Sequence, residues 1–203
     1  MAKNISSKLF YQISFSLIGT FLVALGIRLI VISQLGADAL STFILGILQY
    51  TDTSFGNVSL FINALILVVV FFKQRELIGV ASIINSFGIG LFINSFDYLQ
   101  ILGSIPQGFQ LVSLLIGVEL FAMGTAMYLL TDAGSGAYEC LMFVVEKWLG
   151  KSLRVARMLV DGTLMILGIL LGGPFHVGTF LIVLLLGPSL QFYLKMLSKI
   201  IKN

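Results

Sequence analysis

Apolar residues fill this chain in long unbroken blocks rather than alternating with polar ones at a strand or helix period, so little of its surface is set aside for water. A helix crossing a ~30 Å hydrocarbon core needs about 20 such residues. Six blocks approach that length: Leu9–Ile32, Phe55–Phe72, Leu77–Phe96, Leu111–Leu130, Val155–Leu171 and Val177–Leu194. Two shorter pieces, Ala37–Tyr50 and Ala137–Leu149, fall short of a crossing and predict re-entrant or interfacial helices.

The pattern is written twice. Leu17-Ile18-Gly19 with Ala24 and Gly26 returns as Leu115-Ile116-Gly117 with Ala122 and Gly124, at an offset of 98 residues. The match runs on through Gly36 and Gly134, Ala39 and Ala137, and Ser54 and Ser152. After a one-residue gap it continues through Gly79 and Gly178, Ile83 and Ile182, and Gly88 and Gly187. Each copy holds three long blocks and one short piece, and an odd number of spans inserts the two copies in opposite orientations. The predicted fold is an all-α membrane protein of six transmembrane helices. It forms two inverted three-span repeats, residues 9–96 and 111–194, each with a short re-entrant or interfacial insert, within a single membrane domain over 1–203.

Composition agrees: 58% hydrophobic and 10% charged residues, with a mean hydropathy of +1.07, exclude a soluble domain of 203 residues. The first block, about 24 residues without a small-residue cleavage site, reads as a retained span rather than a signal peptide. Cations set the orientation, because short cytoplasmic loops collect them. With the amino terminus inside, Lys3 and Lys8, then Lys73 and Arg75, then Lys147, Lys151, Arg154 and Arg157, then Lys195, Lys199 and Lys202 all fall on the cytoplasmic side. The segments Ser33–Ser54, Asp97–Gln110 and Gly172–His176 fall outside and carry neither Lys nor Arg. Both termini are then cytoplasmic. The net charge of +3 is accounted for by these loops and calls for no nucleic-acid partner. The lone Cys140 and the lone His176 supply neither a disulfide nor a metal cluster, and no cofactor is expected.

Ionisable groups within spans carry the functional signal, since each costs at least ~2.5–3.5 kcal/mol in hydrocarbon. At 1.5 Å per residue, Glu119 lies roughly 12 Å and Arg28 about 6 Å below the outer boundary of its helix. That depth would let them pair across the repeat interface; a protonated Glu119 and a snorkelling Arg28 are the plainer alternatives. Asn63 and Asp161 occupy equivalent positions in the two repeats, although Arg157, four residues before Asp161, offers it an i,i+4 partner. Arg28, Asn63, Glu119 and Asp161 are the candidate substrate-binding set. The joins before the short pieces carry Gly36 and Asp38 in one repeat and Gly134 and Glu139 in the other. Glycine permits a chain reversal there, and an insert helix starting at such a turn aims its positive end into the membrane. Ordinary loop glycines with an Asp38 cap are an equal alternative.

Ala133-Gly134-Ser135-Gly136 together with His176 is similar to the serine–histidine dyad of rhomboid proteases, but Ser135 follows a helix ending inside and His176 lies in an external loop. No enzymatic activity is expected. A wider likeness holds. Gly172-Gly173, Val177-Gly178-Thr179, Gly187-Pro188 and Gln191, preceded by Ser152, Arg154, Arg157 and Asp161, resemble the second half of the YczE-type membrane proteins of bacteria, a group related to YyaS and YitT. Gly134 and Glu139 match that family's glycine-rich join before an acidic residue. Gly36-Ala37-Asp38 stands where the family carries a Pro-Trp-Asp-like turn. The resemblance covers nearly the whole chain and implies the multi-span fold, without naming a substrate.

The architecture points first to a transporter or exporter of an unknown small solute, embedded in the lipid bilayer. Two alternatives remain. One is a non-transporting accessory or assembly factor that meets a protein partner at the basic cytoplasmic face. The other is the substrate-binding subunit of an energy-coupling-factor importer, whose first helix usually carries an Ala-x-x-x-Ala motif that Leu9–Ile32, with Ala24 alone, lacks.

Overall fold

Eight α-helices form where the eight apolar pieces predict them, in a computed structural model that describes residues 2–106 and 108–201. They are α1 (Ala2–Ser33), α2 (Ala39–Ile47), α3 (Phe55–Gln74), α4 (Val80–Tyr98), α5 (Gln110–Leu129), α6 (Ala137–Leu149), α7 (Leu153–Leu170) and α8 (Val177–Ile201). A single 3-10 turn, Arg75–Leu77, joins α3 to α4, and no strand occurs among the described residues. Lys202, one of the orienting cations, lies outside the described residues.

Five helical stretches are long and apolar enough to cross a membrane: Lys8–Ser33, Phe55–Leu77, Val80–Tyr98, Gln110–Leu129 and Val177–Lys199. The sixth predicted span, α7, is long enough at 18 residues but carries Arg154, Arg157 and Asp161 in its first half. Helices α2 and α6, of 9 and 13 residues, are too short to cross.

The two joins have the same local structure. The Ser33 hydroxyl donates to the Ile30 carbonyl at 2.6 Å and accepts from the Leu35 amide at 3.3 Å. Thr131, its counterpart, donates to the Tyr128 carbonyl at 2.6 Å and accepts from the Ala133 amide at 3.3 Å. Gln34 and Asp132 follow in left-handed conformations, φ 58° and 51°. Gly36 and Gly134 then turn at φ 123° and 102°, a region open to glycine and strained for other residues. Each join rests against the start of the last helix of the other repeat: Gly178 donates its amide to the Leu35 carbonyl at 2.7 Å, and Ala81 to the Ala133 carbonyl at 2.9 Å.

Helices α1 and α5 make the central contact and run antiparallel, because Gly19 faces Gly124 while Gly26 faces Gly117. A Cβ on Gly26 would sit 2.6 Å from the Gly117 carbonyl oxygen, and one on Gly117 would sit 2.8 Å from the Gly26 oxygen. In a bilayer, where apolar surface drives little association, such close backbone approach is what small residues provide. Around this pair α4 packs on α1 and α8 on α5, while α2 packs on α7 and α6 on α3. The short helices thus cross from one repeat to the other. The main apolar core, from Val23 and Ile27 through Ile62, Ile93 and Tyr128 to Cys140, lies between these layers.

Candidate functional site

The polar groups that line the interior gather where the short helices begin. Asp38 caps α2, accepting the Ser41 amide with Oδ2 at 3.2 Å, and Glu139 sits in the first turn of α6. Both line one narrow cavity of about 40 Å³ between α1, α3, α4 and α5. Ser41, Ser59, Asn63, Asn85, Tyr128 and Tyr138 supply the rest of its polar wall; Val23, Ile27, Leu40, Ile44, Phe55, Ile89 and Phe121 supply the apolar part. Among the described residues no Lys, Arg or His lines it.

Two of these groups are buried without a partner, Asp38 Oδ1 and Asn85 Nδ2. The Asn85 side chain is deep, with the residue only 4% exposed. Asn63 Nδ2 donates to Ser59 Oγ at 3.3 Å, one turn away on α3, and the Tyr128 phenol faces the Glu139 carboxyl. Gly136, just before α6, lets Glu139 and Asn85 come near the backbone there, because a Cβ would meet both Glu139 Oε2 and Asn85 Oδ1.

The predicted substrate-binding residues do not meet. Asn63 lines the cavity. Asp161 lies one contact behind it, accepting a short hydrogen bond from the Tyr138 hydroxyl and pairing with Arg157 at 3.5 Å. The pair expected between Arg28 and Glu119 is not formed. Arg28 reaches Asp97 at the end of α4 instead, at 2.7 Å, and Glu119 lies on the outside of the bundle, accepting from Ser189 of α8 at 2.7 Å. The reason is angular. Gly117, Val118 and Ala122 take the buried face of α5, which turns Glu119 outward. Of the turn residues, Asp38 and Glu139 line the cavity, while Gly36 and Gly134 shape the joins behind it.

Sequence reasoning missed Asn85, Ser59, Tyr128 and Tyr138. Asn85 carries the same signal as Asn63, an amide inside an apolar span, but its counterpart in the second repeat is Leu184, so a search for symmetric polar pairs passes over it.

A family model described as a family of unknown function, DUF6198, matches residues 10–195. The chain belongs to this family. Among its relatives, an uncharacterized protein of Haemophilus influenzae is 30% identical over 93% of this chain and 85% of its own length. YyaS of Bacillus subtilis is 26% identical over 90% of this chain and 92% of its own. YczE of Bacillus subtilis, described as an uncharacterized membrane protein, is 26% identical over 89% of this chain and 84% of its own. The YczE-type resemblance read from the second repeat therefore holds across the DUF6198 chain, and with its apolar helices it makes this a multi-pass helical membrane protein. No solved structure matches the chain.

Proposed function

We propose that this protein moves a small solute across the bacterial cytoplasmic membrane, as six spans arranged in two inverted repeats with both termini inside and the cavity as its solute site. The observation that carries the reading is the symmetry of the cavity wall. Val23 and Phe121, Leu40 and Tyr138, and Ser41 and Glu139 are pairs 98 residues apart, and both members of each pair line it. A site on the axis between two copies is where inverted-repeat transporters bind their cargo, at the starts of broken or short helices.

Inversion itself is supported by α1 and α5. Gly19 corresponds to Gly117 and Gly26 to Gly124, yet Gly19 meets Gly124 and Gly26 meets Gly117, the pattern of a self-complementary two-fold contact between oppositely directed copies. The crossing of α2 to α7 and α6 to α3 obeys the same exchange. The cavity's about 40 Å³ is small beside a typical ligand pocket of ~300–1,000 Å³, which fits a small cargo in a closed state.

The competing accessory-factor reading uses the surface. Deletion of the gene and rescue of whatever defect results separates the two before any solute is known. Under the transporter reading, Asn63→Leu, which fills the cavity, inserts normally but fails to rescue, whereas reversal of Lys147, Lys151 and Arg154 rescues. Full rescue by a properly inserted Asn63→Leu protein would refute transport through this site.

A further inference from the structure

We propose that the cavity between the starts of α2 and α6 binds a small monovalent cation, through Asp38, Glu139 and the amide of Asn85. The proposal rests on reading this cavity as the solute site, and it adds the class of ligand.

Charge leads the argument. Asp38 and Glu139 bring two carboxylates to a wall that, among the described residues, holds no Lys, Arg or His. The nearest guanidinium on α7, Arg157, is engaged by Asp161 at 3.5 Å. Each carboxylate stands at the start of a helix, where the backbone supplies the equivalent of roughly half a positive charge. Two carboxylates less two half charges leave about one negative charge, which one monovalent cation neutralises. A divalent or transition metal would want more ligands of its own kind, and no group of three or more His, Cys, Asp or Glu stands together among the described residues.

Geometry agrees. Asp38 uses Oδ2 on the helix cap and leaves Oδ1 buried and unpartnered, facing the cavity. Across it, Asn85 Oδ1 lies 2.5 Å from the point where Gly136 lacks a Cβ, and Glu139 Oε2 crowds the same point. A cation beside that point could draw on oxygens from α4 and α6 together. The remaining polar atom, Asn85 Nδ2, is a buried donor without an acceptor, which a water carried with the ion would satisfy. At about 40 Å³ the cavity has room for an ion and one or two waters, each water needing roughly 10–15 Å³.

The test is thermal unfolding of the purified protein in detergent, at fixed pH and ionic strength, in chloride salts of sodium, potassium, methylammonium and choline. Binding to the folded state alone raises Tm in proportion to the logarithm of ligand concentration above Kd. Expected is a concentration-dependent rise of a few degrees with at least one of the first three cations and none with choline, which is too large to enter. A rise with sodium or potassium assigns an inorganic ion, and a rise confined to methylammonium assigns a protonated amine. Asp38→Asn keeps a good helix cap and Glu139→Gln keeps its shape; both should abolish the rise, while Asp52→Asn, an exposed carboxylate removed elsewhere, should retain it. Equilibrium binding of radioactive sodium, rubidium or methylammonium to the unmodified protein reads the same site without any variant. Equal Tm in all four salts with no bound label, a rise that survives both cavity variants, or stabilisation by acid alone whatever the cation would each overturn the proposal. Cation binding in a protein whose Asn63→Leu variant still rescues would leave the ion site standing and remove transport; failure to bind together with failed rescue would do the reverse.

Discussion

Adding one methyl group at Gly26 is expected to destabilise the protein, and adding one at Gly162 is not. A Cβ at Gly26 would lie 2.6 Å from the Gly117 carbonyl oxygen and 2.7 Å from the Phe121 amide nitrogen. Ordinary contact begins near 3.4 Å, so α1 must withdraw from α5 by about 0.8 Å, and the obstacle is backbone that has no rotamer to change. A gap of ~0.5–1 Å forfeits a quarter to a half of each van der Waals contact, and overpacking of this kind typically costs about 1–3 kcal/mol. Alanine recovers roughly 1 kcal/mol through its better helix propensity. The net for Gly26→Ala is a loss of up to about 2 kcal/mol. At Gly162 on α7 a Cβ meets nothing within 4 Å, so only the propensity acts and the protein gains up to about 1 kcal/mol.

Gly117→Ala should match Gly26→Ala, since its Cβ would lie 2.8 Å from the Gly26 oxygen. The double variant should lose less than the sum, because a gap opened by the first methyl admits the second. Reversible unfolding in mixed micelles with rising sodium dodecyl sulfate, followed by circular dichroism, measures all four proteins. Equal shifts for Gly26→Ala and Gly162→Ala, or strict additivity across Gly26 and Gly117, would refute the close antiparallel contact.

Reporter fusions placed after Asp97 and Pro174 should read external, and those after Gln74 and Gly150 internal; an external signal at Gln74 would break the six-span arrangement. Arg28 and Asp97 should couple in a double-mutant cycle (Arg28→Gln with Asp97→Asn) by about 1 kcal/mol, a modest figure because the Asp97 side chain is 37% exposed. The parallel cycle of Arg28 with Glu119→Gln should show no coupling, and a coupling there equal to that with Asp97 would contradict the ion pair.

Block lengths made the helices legible. Ala137–Leu149 and the starts of α3 and α8 coincide with their apolar pieces, whereas α1 begins before its block, at Ala2, and α8 runs past its own to Ile201, because isolated Lys, Asn and Gln residues do not end a helix. That Arg28 would pair with a carboxylate was readable, but the partner is Asp97 near the end of α4 rather than Glu119 on α5. What composition hides is direction around the helix axis. A span apolar on every side gives no moment to say which face is buried, so Glu119 was aimed inward when it points out. The site shows the same limit. Asp38 and Glu139 were legible as turn residues because the duplication marks the joins, whereas their convergence with Asn85 depends on α2 and α6 crossing into the opposite repeat, which no local pattern encodes.

The duplication also fixes where the two halves differ. In the first repeat α3 lies along α4, and five residues explain the contact. Gly56 and Gly90 remove the side chains at the crossing, where a Cβ on Gly90 would stand 2.5 Å from the Gly56 oxygen. Ser54 donates to Asn94 Oδ1 at 2.7 Å, and Asn94 donates in turn to Asn57 at 2.8 Å. In the second repeat the positions of Gly56, Gly90 and Asn94 hold Arg154, Ser189 and Tyr193. Nothing there permits close approach, and α7 makes no extended contact with α8. Helix α8 packs mainly on α5 and, at its start, on the Leu35–Gly36 join; 17% of its apolar stretch is buried against 39–56% for the other candidate spans, and its Ser189 and Tyr193 turn toward Glu119. Packing is therefore unequal between the two copies: glycines and an amide network bring α3 and α4 together in the first, while the matching positions in the second carry side chains that hold α7 and α8 apart.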